Sequence, residues 1–449
     1  MGDWSQSPLT REAIALVEVG HTDVRPHTAR LLVFAFLLLT AAVPAYELFA
    51  SAEGATAWQY LRDLVPNARA ESTAAGAGAA SPSRGLGAIG LTAWRRLIAG
   101  NRAVLAGLHG FEEALEDESS VSRALRPTTQ LWMGRLTGAG NDRVYLGRDR
   151  WLFYQADVEH VMGPGFLDPS AERRRAAAAS EWTAVPETDP VRAIQAFKTQ
   201  LDARGIALVV MPTPVKPSIH PEQLTPRFDG RGPVVTNASY GRFVEALRAR
   251  GVLVFDPAEA IVQARRASDA PQYLVTDTHW RPEVMEMVAD RLAEFVRANV
   301  QLPPGTTVYS TAPIDVSATG DLAAMLDLPE GQTWLQPDRV TVRRVFDSTG
   351  APWRPSHQAE VLLLGDSFTN IYSLASMRWG DAAGFAEHVS RALRLSVDRI
   401  VQNDAGAYAT REMLHASPDR LIGKRVVVYQ FATRELSFGD WKVFGDSGQ

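Results

Sequence analysis

The chain of 449 residues contains no cysteine, which excludes disulfide cross-links, a thiol nucleophile and cysteine-ligated zinc and leaves stability to packing. It also lacks a dominant charge of either sign: the formal net charge is −5, with arginines scattered rather than clustered. Such a balance builds no basic field for a nucleic-acid backbone, so nucleic acid is not an expected partner. A glycine-rich loop of the kind that cradles nucleotide phosphates is missing. His160, His220 and His388 stand without the spacing that metal ligands adopt. Neither cofactor nor metal is expected.

Long apolar runs are scarce too, and the exception is informative. Residues 31–50, LLVFAFLLLTAAVPAYELFA, are apolar almost throughout up to Glu47, about the length that crosses a hydrocarbon core. Arg25, His27 and Arg30 precede the run, whereas Glu47 and Glu53 follow it with no basic residue before Arg62. This asymmetry predicts that residues 1–30 stay in the cytoplasm and that the remaining mass lies outside. An uncleaved single-pass signal anchor is the expectation. A cleavable signal peptide is the rival, since Val43-Pro44-Ala45 offers small residues, but the polar lead is long for one.

Beyond this run the text changes twice. Residues 68–90 are rich in Ala, Gly and Ser and read as a flexible spacer. Residues 91–140 read as mostly helical, with Trp94, Leu97, Val104, Leu105 and Leu108 at helical spacing. From Val144 onward the pattern is α/β. Amphipathic runs ending in glycine precede apolar runs, as in DPVRAIQAFKTQLDARG before IALVVMP and SYGRFVEALRARG before VLVFDP. With VLLLG, RIVQNDAG and RVVVYQF this gives five candidate strands of a parallel sheet covered by helices. Residues 303–358 read as a largely irregular insertion with short strands such as RVTVRRVF.

Two short strings carry chemistry. Gly365-Asp366-Ser367-Phe368 follows the apolar run Val361-Leu362-Leu363-Leu364, which places the Ser367 hydroxyl at a strand end where a following helix aims its N–H groups. Upstream stands Asp277-Thr278-His279-Trp280. A serine hydroxyl becomes nucleophilic when a neighbouring imidazole takes its proton, and a carboxylate holds that imidazole in the useful tautomer. His279 and Asp277 supply both. Taken singly, Gly-Asp-Ser recurs by chance and Asp-Thr-His-Trp suits a helix cap with a packed histidine; their coincidence is what points to catalysis. In an open α/β sheet ligands sit at the carboxyl ends of the strands, where Ser367, the Asn403-Asp404 turn and Gln430 would fall.

The ordered markers Val144-Tyr145-Leu146-Gly147, Trp151-Leu152-Phe153-Tyr154, Val209-Val210-Met211-Pro212 with Lys216, Asp277-Thr278-His279-Trp280, Gly320-Asp321-Leu322, Gly365-Asp366-Ser367-Phe368 and Arg434-Glu435 resemble the SGNH-hydrolase-like proteins of the alginate O-acetyltransferase AlgJ/AlgX family. In ordinary SGNH hydrolases the Asp and His follow the serine; here they precede it, as in the acetyltransferases. The resemblance implies a three-layer α/β fold over residues 141–449, with Ser367 as acetyl-accepting nucleophile, His279 as general acid/base and Asp277 as its orienter. It also implies a periplasmic location, an exopolysaccharide acceptor, and a multi-pass membrane-bound O-acyltransferase that delivers acetyl groups. The stretch after Ser367 suffices to finish a sheet, so the AlgJ type without a carbohydrate-binding module is expected.

For the oxyanion the candidates are the N–H groups of Ser367 and Gly406, with Asn403 adding its amide. The third side-chain donor of SGNH enzymes is missing where the chain reads Gln430-Phe431-Ala432-Thr433-Arg434. Arg434, Trp280 and Tyr273 are further candidates for binding substrate, although aromatics at such places, like Trp151 and Tyr154, often only pack. Lys216 suits an acidic sugar or plain solvent, and Asp321 reads as a turn former. A carbohydrate esterase or deacetylase with the same three residues, and a non-catalytic polysaccharide assembly component, are the alternatives.

Overall fold

The computed structural model describes residues 26–49, 54–77, 86–117, 119–177, 186–268, 270–403 and 406–445. They belong to two units, residues 1–126 and 127–449. In the first unit the chain forms helices Pro26–Phe49, Gly54–Ala77 and Leu86–Asp117. The last two pack along each other, with Gly107 facing Leu64. All but the last residue of the expected membrane crossing falls within Pro26–Phe49, but among the described residues no helix is long and apolar enough to cross a membrane. Arg25 and Glu53 lie outside the described residues. The expected spacer differs from the structure: residues 68–77 complete one helix and residues 86–90 begin the next. In residues 68–77 alanine, the strongest helix former, outweighs the single Gly76. Residues 78–85 lie outside the described part.

The second unit opens with a short antiparallel pair, β1 (Val144–Leu146) and β2 (Leu152–Tyr154). Its centre is a five-stranded sheet of β3 (Ala207–Thr213), β4 (Leu253–Val254), β7 (Val361–Gly365), β8 (Val397–Val401) and β9 (Val426–Ala432), in the order β4-β3-β9-β7-β8 and parallel throughout. All five apolar runs of the sequence are in it. The positive φ of Gly205 and Gly251 turns the chain from helix into β3 and β4.

Alternate residues of the buried strands feed two cores. Val209, Met211, Val361, Leu363, Val426 and Val428 face one, which helices Pro282–Asn299 and Phe385–Leu393 help to build. Leu208, Val210, Leu362, Leu364, Val427 and Tyr429 face the other, with helices Pro190–Asp202 and Tyr240–Ala249. Burial on both faces explains why these strands read as unbroken apolar runs. The three layers of the SGNH-like fold follow.

The insertion is more regular than expected. β5 (Ser310–Ala318) and β6 (Asp338–Phe346) form a nine-residue antiparallel pair in register Ser310↔Phe346 to Ala318↔Asp338. Between them lies the short helix Asp321–Met325, which bears on the site.

Candidate active site

β3 and β4 run outward from the middle of the sheet on one side and β7 and β8 on the other, with β9 returning between β3 and β7. Connections leaving the middle in opposite directions open a crevice at the carboxyl ends of the strands. Ser367 stands there, just past β7, as the first residue of the four-residue helix Ser367–Asn370. A cradle of buried hydrogen bonds fixes its turn. The Asp366 carboxylate accepts from Phe368 N–H (2.9 Å) and Ala432 N–H (2.7 Å). The Gln430 carbonyl accepts from Asp366 N–H (3.0 Å) and Thr369 Oγ1 (2.9 Å), while its amide donates to Thr213 Oγ1 and Asp366 Oδ1, both at 2.9 Å. Gln430 is thus spent on the turn and is not a donor to substrate. Gly365 admits the turn because a Cβ there would meet Thr369 Oγ1 at 2.3 Å.

The two sequence strings meet at Ser367. His279 Nε2 lies 2.8 Å from Ser367 Oγ, and Nδ1 lies 2.6 Å from Asp277 Oδ1. Asp277 also accepts from His279 N–H (3.1 Å), Trp379 Nε1 (2.9 Å) and Asp321 N–H (3.1 Å). Burial alone would raise the Asp277 carboxyl, but the His279 charge and these donors pull it down to about 2. For His279, burial opposes the charged ring and is outweighed by Asp277, so its pKa stands above the usual 6.5. The arrangement is a buried carboxylate, an imidazole of fixed orientation and a hydroxyl in line, which can remove a proton from the hydroxyl and return it to a leaving group.

These groups open into a cavity of about 600 Å³ whose lining includes Tyr154, Asp321, Met377, Asn403, Gly406 and Glu435, with Arg143, Arg378 and Arg434 around it. Asn403 Oδ1 accepts from Asn370 Nδ2 (2.9 Å), which leaves its own Nδ2 directed at Met377 Sδ, 3.6 Å away, in the cavity wall. Gly406 lines the same cavity as Ser367, and Glu435 Oε2 holds the next N–H, that of Ala407, at 3.0 Å. Asp404 lies outside the described residues. Arg434 donates to the fully buried Asp157 (3.1 Å) and stacks over Tyr154, so its guanidinium is held in place at the cavity. Burial raises the Asp157 carboxyl in spite of that partner.

Three sequence expectations are corrected. Trp280 and Tyr273 do not reach substrate: both are fully buried and pack edge-on against Phe368, which itself backs the His279 ring at 4.7 Å between centroids. Bulky apolar faces gain more from this core than from solvent. Lys216 faces neither sugar nor water. It is fully buried, donates to the carbonyls of Leu152 (2.7 Å) and Val275 (3.1 Å) and lies over the Trp151 and Phe153 rings. Burial pushes its ammonium down to about 8, against the pull of Asp277, Asp338, Asp321 and Asp157. Asp321, read as a turn former, sits against the Asp-Thr-His loop with its carboxylate pushed up to about 6 by burial and by Asp277. Sequence reasoning missed Trp379 altogether, since it belongs to no motif.

Known proteins agree with this architecture. Residues 144–433 match the family model described as SGNH hydrolase-like domain, acetyltransferase AlgX. The chain is 25% identical over 351 residues to a protein of Pseudomonas aeruginosa named probable alginate O-acetylase AlgJ, covering 73% of this chain and 79% of that one. A protein of the same name from Azotobacter vinelandii is 25% identical over 339 residues, covering 73% and 78%. The solved O-acetyltransferase domain of Pseudomonas putida AlgJ superposes with a TM-score of 0.50 at 23% identity, covering 68% of this chain and 95% of that domain. On the extent of the family match, the chain belongs to the family of the SGNH hydrolase-like domain, acetyltransferase AlgX.

Proposed function

We propose that the protein is an O-acetyltransferase that passes acetyl groups through Ser367 to hydroxyls of an alginate-like exopolysaccharide. The observation that carries this reading is the hydrogen-bonded series Asp277–His279–Ser367 ending in a cavity, in a chain of this family. His279 Nε2 takes the Ser367 proton as Oγ attacks the acetyl carbonyl. Backbone N–H groups at Ser367 and Gly406, with the Asn403 amide beside them, would hold the resulting oxyanion. The intermediate collapses as the leaving group departs with the proton from His279, leaving acetyl-Ser367. His279 then deprotonates a sugar hydroxyl, which attacks the acetyl carbon, and the proton returns to Ser367 Oγ.

Arg143, Arg378 and Arg434 around the cavity suit the carboxylates of a uronate polymer, and two relatives carry the name probable alginate O-acetylase AlgJ. We place the protein at the inner membrane with residues 127–449 in the periplasm. Support comes from the helix Pro26–Phe49, whose apolar side chains Leu31, Phe34 and Phe36 are 67, 68 and 65% exposed and call for a nonaqueous cover. Acetyl groups would arrive from a multi-pass membrane-bound O-acyltransferase.

The test incubates the full chain with p-nitrophenyl acetate, with and without alginate oligosaccharides, and follows peptide masses. One acetyl on the Ser367 peptide, discharged faster by oligosaccharide than by water and yielding acetylated sugar, is expected. Discharge to water alone, indifferent to sugar, would make the protein an esterase; a Ser367 that never carries acetyl removes the reading.

A further inference from the structure

Asp321 opens the helix Asp321–Met325, yet its side chain is not used as an ordinary turn or cap. One carboxylate oxygen accepts from the backbone N–H of Thr278 (2.8 Å) and of Leu322 (2.7 Å). The other accepts from Thr278 Oγ1 at 2.5 Å. With its proton directed at Asp321, Thr278 Oγ1 turns a lone pair toward His279 Nδ1, 3.1 Å away. The same Asp321 oxygen lies 3.9 Å from His279 Nδ1, and the Asp321 backbone N–H donates to Asp277. The helix approaches closely because Gly320 precedes it: a Cβ there would fall 2.3 Å from that of Asp277.

We propose that Asp321 is a positioning residue of the acetyl-transfer site, acting through Thr278 to fix the Nδ1 side of His279 and to stabilise the ring when it carries a proton. The inference rests on the acetyl-serine reading above. A second carboxylate close to the first is costly, and a loop needing only a turn former has no reason to keep one in contact with an ionised Asp277. Its value lies in the imidazolium formed as Ser367 attacks, which then faces two negative charges and the Thr278 oxygen. Charged groups within reach of Asp321 are Asp277, His279 and Lys216. Arg143, Arg378, Arg434 and Glu435 line the same cavity.

The test compares the full-length wild type with Asp321→Asn and Thr278→Val for the rate of Ser367 acetylation by p-nitrophenyl acetate between pH 5 and 9. In parallel, ¹⁵N-histidine spectra follow the His279 titration, assigned by the signal missing in His279→Gln. Asp321→Asn keeps the shape and loses the charge, so acetylation should slow on the order of tenfold or more. The acidic limb of its profile, and the His279 midpoint in the spectra, should both move to lower pH by about one unit. Thr278→Val should slow the reaction, and adding it to Asp321→Asn should cost less than the sum of the two. A slower variant with an unmoved His279 midpoint would reduce Asp321 to scaffolding and overturn the proposal, as would an unchanged rate. If the wild type never acetylates Ser367, the acetyl-serine reading falls, and the His279 midpoint in the spectra still decides whether Asp321 acts on the ring.

Discussion

In the proposed mechanism Ser367 acts as a nucleophile only to the degree that His279 is neutral and correctly turned, and Asp277 bears on both conditions. Its carboxylate has four donors around it, which is why it stays ionised at a buried site and raises the imidazole. The sign of the pH dependence follows. A base with a raised pKa is protonated at higher pH than a free histidine, so acetylation of Ser367 should fall on acidification with a midpoint above 6.5. Rate measurements across pH 5 to 9 check this, and a midpoint below 6.5 would mean that Asp277 does not govern the ring. Asp277→Asn should slow acetylation on the order of 10⁴-fold, because the amide no longer enforces the tautomer. At this scale the sequence was legible where chemistry demands a residue type: a serine after a strand, and a histidine beside an aspartate. It was not legible where burial decides the role. Trp280 and Tyr273 adjoin the right motif and turn inward, Lys216 looks like a surface lysine and is sealed, and Trp379 reaches Asp277 from far along the chain.

The element that positions Ser367 is the end of β7 together with β9, and the link between them is Gln430. Its amide meets four partners, joining the Asp366-Ser367 turn to Thr213 at the end of β3. Gln430→Leu would leave several buried polar groups without partners, at a cost of about 2–4 kcal/mol. Urea denaturation of the variant should show that loss, with a slower acetylation of Ser367 because the turn is no longer tied to its neighbours; a variant of wild-type stability would deny Gln430 this part. The inner strands β3, β7 and β9 were readable because burial on both faces makes them largely apolar. β6 alternates buried and exposed residues and was readable too. Its partner β5 is largely exposed and carries Pro313, so nothing in its side chains announces a strand, and only backbone pairing with β6 defines it. The helical stretch 68–77 was missed for the opposite reason: alanine is compatible with a linker and better suited to a helix.

At the scale of the whole molecule, the topology explains how the two strings come together. The Asp-Thr-His loop follows the half of the sheet built from β3 and β4, and Ser367 follows the first strand of the other half, so both emerge at the crevice between the halves. The insertion then adds Asp321 to the same edge. None of this requires residues 26–49, whose role has to be argued from their surface. Leu31, Leu32, Val33, Phe34, Leu37 and Leu38 are each more than half exposed, and consecutive residues of a helix point in all directions around its axis. A helix that is apolar on every side is stable only when something apolar surrounds it, and on the localisation proposed above a lipid bilayer would be that cover. The full chain should therefore stay with the membrane pellet through alkaline carbonate washing and leave it in detergent. Phe34→Lys with Leu38→Lys, which put two charges at a prohibitive depth, should move it to the wash. Release of the wild-type chain by carbonate alone would mean that the apolar helix is covered by protein, and that docking beside an acetyl donor depends on a partner surface instead of lipid.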